Sequence, residues 1–424
     1  MQYPRVLVIA NNCFSKTNSN GRTLANLFVG WPKDKLANFF VSPVETDFES
    51  CSNYYCVSDS EVIQSLLHFR KLQKRPLSQE QPIVIPRKKQ KLNKKTPLKA
   101  LLRNLAWMMV DWKTDEFEKW VDDFKPDVIL LMNTDAVFVL KIAEYLASSR
   151  NVPLMMYNTE GFYLFHQNYF QKGFLGNSLF KLYHRWYRKV FESVMKLNSF
   201  TFYLNGKLKE DYDMFFYQKG DVLYNVSTTR RSTKPFNSEN PRFCYIGNFG
   251  YERHKALIEV GQVLNNINSN YCLEVYGNPR PEVEKLFELS RGIEYKGLLS
   301  YDEVKKTIDE SDVLFHVESQ SEQYRETLKY GFSTKIADSI TSGKAFVIYA
   351  SSDIACSQYI MKTGAGWHAG SKEELEKTIR RVLKDPMERQ EKSLNAMQVA
   401  KTNHSPECVC DKFKRKIEEI AKSK

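Results

Sequence analysis

Short β-branched apolar runs alternate along this chain with stretches whose apolar residues recur at helical spacing. The run from Arg5 to Ala10, closed by Asn11 and Asn12, has the unbroken hydrophobicity of a strand buried on both faces. A polar loop containing Asn18 to Arg22 follows, and Leu24, Leu27, Phe28 and Trp31 then fall on one helical face. Phe39 to Ser42 predicts a second strand, Phe117 to Phe124 a helix, and Lys125 to Met132 a third strand. A helix over about 136–149 leads to the next strand, Val152 to Tyr157. Strands and helices alternating in this way predict parallel βαβ units.

A second series of the same kind starts near residue 242. Phe243 to Ile246, Cys272 to Tyr276, Asp312 to Val317 and Lys344 to Tyr349 read as strands, and Lys255 to Ile267 as a helix. Ser300 with Glu303, and Ser371 with Glu374, have capping-box spacing and predict helices over 301–310 and 372–384. Between the two series, 225–241 is polar and aperiodic and predicts a linker. The expected fold class is α/β, with two Rossmann-like doubly wound domains facing a cleft, 1–228 and 229–404. Ligands are expected where the carboxyl ends of the strands meet that cleft.

One segment breaks the alternation. From Pro82 to Trp112 no acidic residue occurs before Asp111, while Arg87, Lys88, Lys89, Lys91, Lys94, Lys95, Lys99 and Arg103 crowd in. Leu98, Leu101, Leu102, Leu105, Trp107, Met108 and Met109 follow at the spacing of an amphipathic helix. The stretch 87–112 therefore predicts a polybasic flank and an interfacial helix for an anionic membrane surface. The competing reading is a solvated basic loop followed by an ordinary core helix.

Charge points the same way, because 62 Lys+Arg against 50 Asp+Glu give a net +12. Such an excess implies an anionic partner: nucleotide phosphate, membrane surface or nucleic acid. With 424 residues, 42% hydrophobic and 26% charged, the chain reads as two or three globular domains, which excludes a disordered or collagenous protein. No apolar run approaches the roughly 18–20 residues of a membrane span, and the start lacks the cleavage pattern of a signal peptide. Eight cysteines lie scattered without C-x-x-C spacing, as expected for a reduced cytoplasmic protein without a zinc site. Taken with 87–112, the expected location is cytoplasmic and peripheral on the inner face of the plasma membrane.

Several chemistries are excluded by spacing. Asp338 stands where Thr341-Ser-Gly343-Lys344 would need glycine to complete a phosphate-binding P-loop. No G-x-G-x-x-G follows the first strand, and neither G-x-S-x-G nor H-E-x-x-H occurs. The informative stretch is Tyr330 to Ile348, an aromatic–glycine turn, a short helix, a glycine stop and a buried strand. A helix N-terminus favours phosphate because its free N–H groups point at the anion. Ser333 and Thr334 fall in the first turn, Lys335 adds charge, and Asp338 lies one turn further on, placed to hold a ribose diol. The alternative is a capped helix whose Asp338 is merely solvated.

These segments resemble the C-terminal domain of GT-B glycosyltransferases of group 1 (family four). The resemblance is carried by Phe243 to Ile258, Glu274 to Gly277, Ile293 to Gly297, Asp312 to Phe315 and the 330–350 stretch. Gly247 and Arg253 match the family's glycine and basic residue after the first strand, and Arg253 or Lys255 is then implied to bind a donor diphosphate. Asp338 matches the second acid of the family's E-x7-E, while Tyr330 stands where the first acid belongs. In the N-terminal half Gly21 occupies the place of the family's glycine-rich loop, which implies a backbone that approaches the diphosphate. Arg22 reads either as a phosphate ligand or as a surface residue of the helix start. Glu160 reads either as a base contacting an acceptor hydroxyl or as a loop carboxylate, and His166 is a further candidate. The last segment, 405–424, resembles the family's final helix, which crosses back onto the N-terminal domain.

The resemblance implies transfer of a sugar from a nucleotide sugar, UDP-linked rather than GDP-linked, with retention and without a metal cofactor. A growing surface polysaccharide or lipopolysaccharide on a lipid is the implied acceptor. Two other functions stay open at this point. A GT-B nucleotide-sugar epimerase would need acid/base carboxylates and histidines in the cleft and no 82–112 insertion. A non-enzymatic binder of anionic polymer would explain the lysines, yet no RNA-reading module accompanies them, and nucleic acid is not expected as a partner.

Overall fold

The computed structural model describes residues 3–16, 18–68, 72, 76–79, 95–170, 175–217 and 219–423. The chain forms two compact units: Met1–Tyr224 together with Val409–Lys424, and Asn225–Cys408.

The first unit is built on a seven-stranded sheet ordered β3-β2-β1-β4-β5-β6-β7. Its strands are β1 (Val6–Ala10), β2 (Leu36–Phe40), β3 (Asn53–Cys56), β4 (Val128–Met132), β5 (Leu154–Asn158), β6 (Asn198–Tyr203) and β7 (Gly220–Val222). Every pairing is parallel, and β1, β4 and β5 are almost entirely buried, as unbroken apolar runs require. The helices are α1 (Ser19–Leu27), α2 (Asp59–Leu67), α3 (Pro97–Met109), α4 (Asp115–Phe124), α5 (Val137–Arg150), α6 (Gly176–Leu197) and α7 (Gly206–Asp213). Strand β6 and helix α6 were not foreseen from the sequence. The helix ends at Leu197 and the strand begins at Asn198, so no glycine or proline punctuates the change.

Asn225–Cys408 carries a six-stranded parallel sheet ordered β10-β9-β8-β11-β12-β13. These are β8 (Phe243–Ile246), β9 (Leu273–Tyr276), β10 (Ile293–Gly297), β11 (Val313–Val317), β12 (Ala345–Tyr349) and β13 (Trp367–Ala369). Helices α8 (Arg253–Ile267), α9 (Pro281–Glu288), α10 (Tyr301–Glu310), α11 (Arg325–Leu328), α12 (Thr334–Ser342), α13 (Ala355–Thr363), α14 (Lys372–Lys384) and α15 (Pro386–Val399) complete it. The core between sheet and helices is formed by residues such as Leu257, Leu264, Val275, Val317 and Val347. The Ser300–Glu303 capping box forms in both directions. At Ser371 only half of it does: the Glu374 carboxylate turns to the Gly370 N–H instead, at 2.7 Å.

The last helix, α16 (Pro406–Lys422), packs its Phe413 ring against Phe28 and Phe202 of the first unit, with centroids 5.1 and 5.8 Å apart. Lys412 Nζ donates to the Val222 carbonyl there at 2.7 Å. All eight cysteines are free. Among the described residues no helix is long and apolar enough to cross a membrane.

The basic stretch 87–94 lies outside the described residues. The helix expected after it begins at Pro97, capped by the Thr96 hydroxyl, and is half core. Leu101 and Trp107 face inward while Leu98, Leu102 and Leu105 are exposed, so one face of the helix expected to be interfacial belongs to the core and another does not.

Candidate functional site

In the second unit the switch in strand order falls between β8 and β11, whose carboxyl ends lead to Gly247 and Glu318. Gly247 leaves no room for a side chain, since a Cβ would lie 2.5 Å from the Tyr245 hydroxyl oxygen. That hydroxyl donates to the Asn248 carbonyl at 2.7 Å and fixes the loop. The chain then passes through two left-handed non-glycine residues, Tyr251 (φ 55°) and Glu252 (φ 61°). Strain of this kind persists where the surroundings hold it, and ligand-binding loops are a common place.

Helix α8 starts on the next residue, Arg253, whose guanidinium turns inward. Its Nε donates to Glu318 Oε2 at 2.7 Å, a terminal nitrogen lies 2.6 Å from the same oxygen, and the other donates to Asn248 Oδ1 at 2.6 Å. Glu318 is only 1% exposed, and its second oxygen meets His316 Nε2 at 3.1 Å. Burial alone would raise the Glu318 pKa. The charge of Arg253 and the His316 hydrogen bond outweigh it and hold the carboxyl below the usual range. Arg253 is therefore a charge already balanced by protein, with part of its donor fork uncommitted. Lys255 lies on the surface and donates to Glu252 at 2.9 Å.

Glu318 was not singled out by sequence reasoning. The available clue was an acid placed directly after an apolar strand, in DVLFHVES, where strand ends bind ligands. The Tyr330 side chain is buried where the family pattern has an acid. A Cβ built on the next residue, Gly331, would stand 3.8 Å from Glu318 Oε1, so a buried carboxylate is close by.

At α12 the residues fall as expected. Ser333 is the N-cap, its hydroxyl accepting the Lys335 N–H at 3.2 Å, and Thr334 opens the helix. Lys335 Nζ lies 3.5 Å from Asp338 Oδ2. Asp338 Oδ1 accepts hydrogen bonds from Ser227 Oγ at 2.8 Å and Thr229 Oγ1 at 3.2 Å. The start of the stretch expected as a linker is thus fixed within the second unit. The Ser227 N–H donates to the His404 carbonyl at 2.9 Å, and the His404 ring nitrogen lies 2.9 Å from the Asn225 carbonyl. Asp338 is accordingly not a solvated carboxylate but a partnered one, 17% exposed.

In the first unit polar residues line the carboxyl ends of the central strands. The Asn11 amide donates to the Thr134 hydroxyl, and Asn133 Nδ2 donates to the buried Asn158 Oδ1 at 2.7 Å. Glu160 follows, its N–H donating to Asn158 Oδ1 at 3.4 Å. Its side chain reaches solvent, yet the dense protein around it and the nearby Asp135 carboxylate push its pKa up to about 7. His166 is exposed.

Gly21 requires a correction. It lies inside α1, and its N–H donates to the side chain of the cap residue Asn18 at 2.7 Å, so this amide is not open to a diphosphate. Its missing side chain serves packing, because a Cβ would stand 2.6 Å from the Cys13 carbonyl oxygen and 2.7 Å from the Ser15 nitrogen. Gly21→Ala should lower stability by about 1–3 kcal/mol through overpacking, read as a lower urea midpoint. Arg22, in the same helix, is half-buried.

No protein family and no curated protein matches the sequence. Solved structures match the fold. The Anabaena protein HepE in complex with UDP and glucose aligns over 100% of both chains, with a TM-score of 0.61 at 12% identity. Sucrose-phosphate synthase from Thermosynechococcus elongatus aligns over 99% of this chain and 100% of its own, with a TM-score of 0.64 at 11% identity. WaaG, a glycosyltransferase involved in lipopolysaccharide biosynthesis, aligns over 97% and 99%, with a TM-score of 0.58 at 14% identity. The fold is GT-B.

Proposed function

We propose that this chain is a glycosyltransferase that takes a sugar from a nucleotide sugar, UDP-linked in preference to GDP-linked, and passes it with retention to a glycan acceptor. The observation that carries the reading is the placement of Lys335 and Asp338 on the first turns of α12, in a GT-B fold, with Arg253 at the start of α8 turned onto Glu318 at the end of β11. In this reading Asp338 accepts the ribose hydroxyls, exchanging Ser227 and Thr229 for the ligand, while Lys335 and the uncommitted part of Arg253 meet the diphosphate. Gly247, Ser333 and Thr334 shape the backbone around it, and Lys255 contributes only if Glu252 releases it.

In the transfer, the acceptor oxygen forms its bond to the anomeric carbon on the same face from which the phosphate oxygen departs, as that C–O bond breaks, so the configuration is kept. The nucleoside diphosphate leaves with the electron pair, and cations aimed at its oxygens stabilise the growing charge. The proton of the acceptor hydroxyl goes to a base, for which Glu160 is the candidate in the first unit. That role requires its ionised form. Because its pKa is raised to about 7, transfer should rise with pH through about 7 and level off above. Glu160→Gln should lower the rate and remove that step from the pH profile.

A lipid-linked glycan of a surface polysaccharide or lipopolysaccharide is the proposed acceptor, with the enzyme held peripherally at the cytoplasmic side of its membrane. Support comes from the sequence of 87–112, basic residues first and a Leu/Trp/Met-rich stretch second, and from WaaG among the structural neighbours. A thermal-unfolding screen of UDP- and GDP-sugars tests the donor half, because a ligand bound only by the folded state raises the melting temperature. A rise with UDP-sugars supports the reading. No rise with any of them, at concentrations well above ordinary donor affinities, contradicts it.

A further inference from the structure

Helix α3 is already secured by one face. Trp107 stacks on Phe138 with ring centroids 4.1 Å apart, and its indole N–H donates to Asp59 at 2.8 Å. Arg103 donates to both oxygens of the same carboxylate at 3.0 Å, and Asn104 Oδ1 accepts the Phe138 N–H at 3.3 Å. The opposite face is also apolar. Leu98, Leu102, Leu105 and Met109, at i, i+4, i+7 and i+11, are 44%, 56%, 48% and 74% exposed. Scattered exposed leucines are ordinary, but a regular stripe along one helix marks an interaction surface.

The chemistry around the stripe says what it meets. α3 contains no Asp or Glu, and Lys99 is exposed beside Leu98. α6, which packs against α3, exposes Leu182 between Lys181 and Arg185, with Lys189 one turn further on. A leucine stripe with exposed cations on its own helix and on the one packed beside it suits a lipid boundary, where apolar side chains enter the acyl region and lysines reach the headgroups. A nucleic acid would be met by cations without the leucine stripe. We propose that this face of α3 docks on an anionic membrane surface, with the exposed cations of the adjoining α6 adding to its charge. The inference deepens the reading of a lipid-linked acceptor, but it rests on residues separate from the donor site.

Co-sedimentation of the full-length protein with phosphatidylglycerol-containing vesicles and with phosphatidylcholine vesicles tests it. The protein should pellet with the first, less so as salt is raised, and only weakly with the second. Leu102→Gln with Leu105→Gln should reduce partitioning tenfold or more. Lys99→Gln with Lys181→Gln should reduce it about fivefold for each charge removed. UDP binding and the unfolding temperature of these exposed-surface variants should match those of the unmodified chain, which separates failure of this proposal from failure of the donor reading. Undiminished vesicle binding by both variants, or no vesicle binding at all, overturns the proposal. So does a concentration-dependent dimer that the leucine substitutions dissolve, since the stripe would then belong to a second copy.

Discussion

Replacing Glu318 by alanine should lower folding stability by about 3–5 kcal/mol, the usual penalty when a buried ion pair loses one partner. The Arg253 side chain is 11% exposed, so water cannot compensate for the lost carboxylate. Arg253→Ala should cost a similar amount by stranding Glu318. The double substitution Arg253→Met with Glu318→Leu should recover most of the loss, because neither charge is then left buried alone. Urea unfolding of the four proteins gives the comparison. If the pair also serves the donor diphosphate, the double variant should fold yet lose turnover. The pair has an acid signature as well. The carboxyl of Glu318 titrates below its usual range in the fold, so its contribution is present above the unfolded value and disappears as pH falls through the lowered one. Glu318→Gln should flatten that acid loss.

Asp338→Ala should weaken UDP binding roughly 10- to 150-fold, from about 1.5–3 kcal/mol for a hydrogen bond to a charged group. Calorimetric titration measures it directly. Because the ribose is unchanged between ground and transition states, the Michaelis constant for the donor should rise much more than kcat falls. Asp338→Asn keeps an acceptor for Ser227 and Thr229 but loses the charge facing Lys335, and should fall between the two. An Asp338→Ala variant that binds UDP normally would return this residue to a purely structural role, holding 227–229 against α12.

Much of this architecture is legible in the sequence because parallel strands buried on both faces must be unbroken apolar runs. Val6 to Ala10, Val313 to Val317 and Ala345 to Tyr349 announce themselves that way. The α12 motif is legible for a similar reason: serine cap, lysine and aspartate are local, and one helical turn relates them. What escapes is whatever depends on distant partners. Glu318 looks like one more acid in a polar loop until Arg253, far back in the chain, folds onto it. Asp338 has the spacing of a ribose ligand, but nothing local shows that Ser227 and Thr229 already occupy one of its oxygens. Gly21 is misread in the same way, since its packing against Cys13 and Ser15 is a tertiary constraint that resembles a ligand-loop glycine in sequence. In α3, periodicity shows an amphipathic helix, but not that Leu101 and Trp107 look inward while Leu98, Leu102 and Leu105 look out.

The central claim is transfer of a sugar from a nucleotide donor through the α12 and Arg253 groups. It is tested most directly by incubating the full-length chain with UDP-sugars, with and without a lipid-linked glycan extract, and following nucleotide and lipid products by mass spectrometry. The account predicts free UDP in step with a lipid glycan heavier by one sugar, and neither product from Asp338→Ala with Lys335→Ala. UDP released without acceptor while the sugar is recovered as its epimer, or full transfer by that double variant, would contradict it.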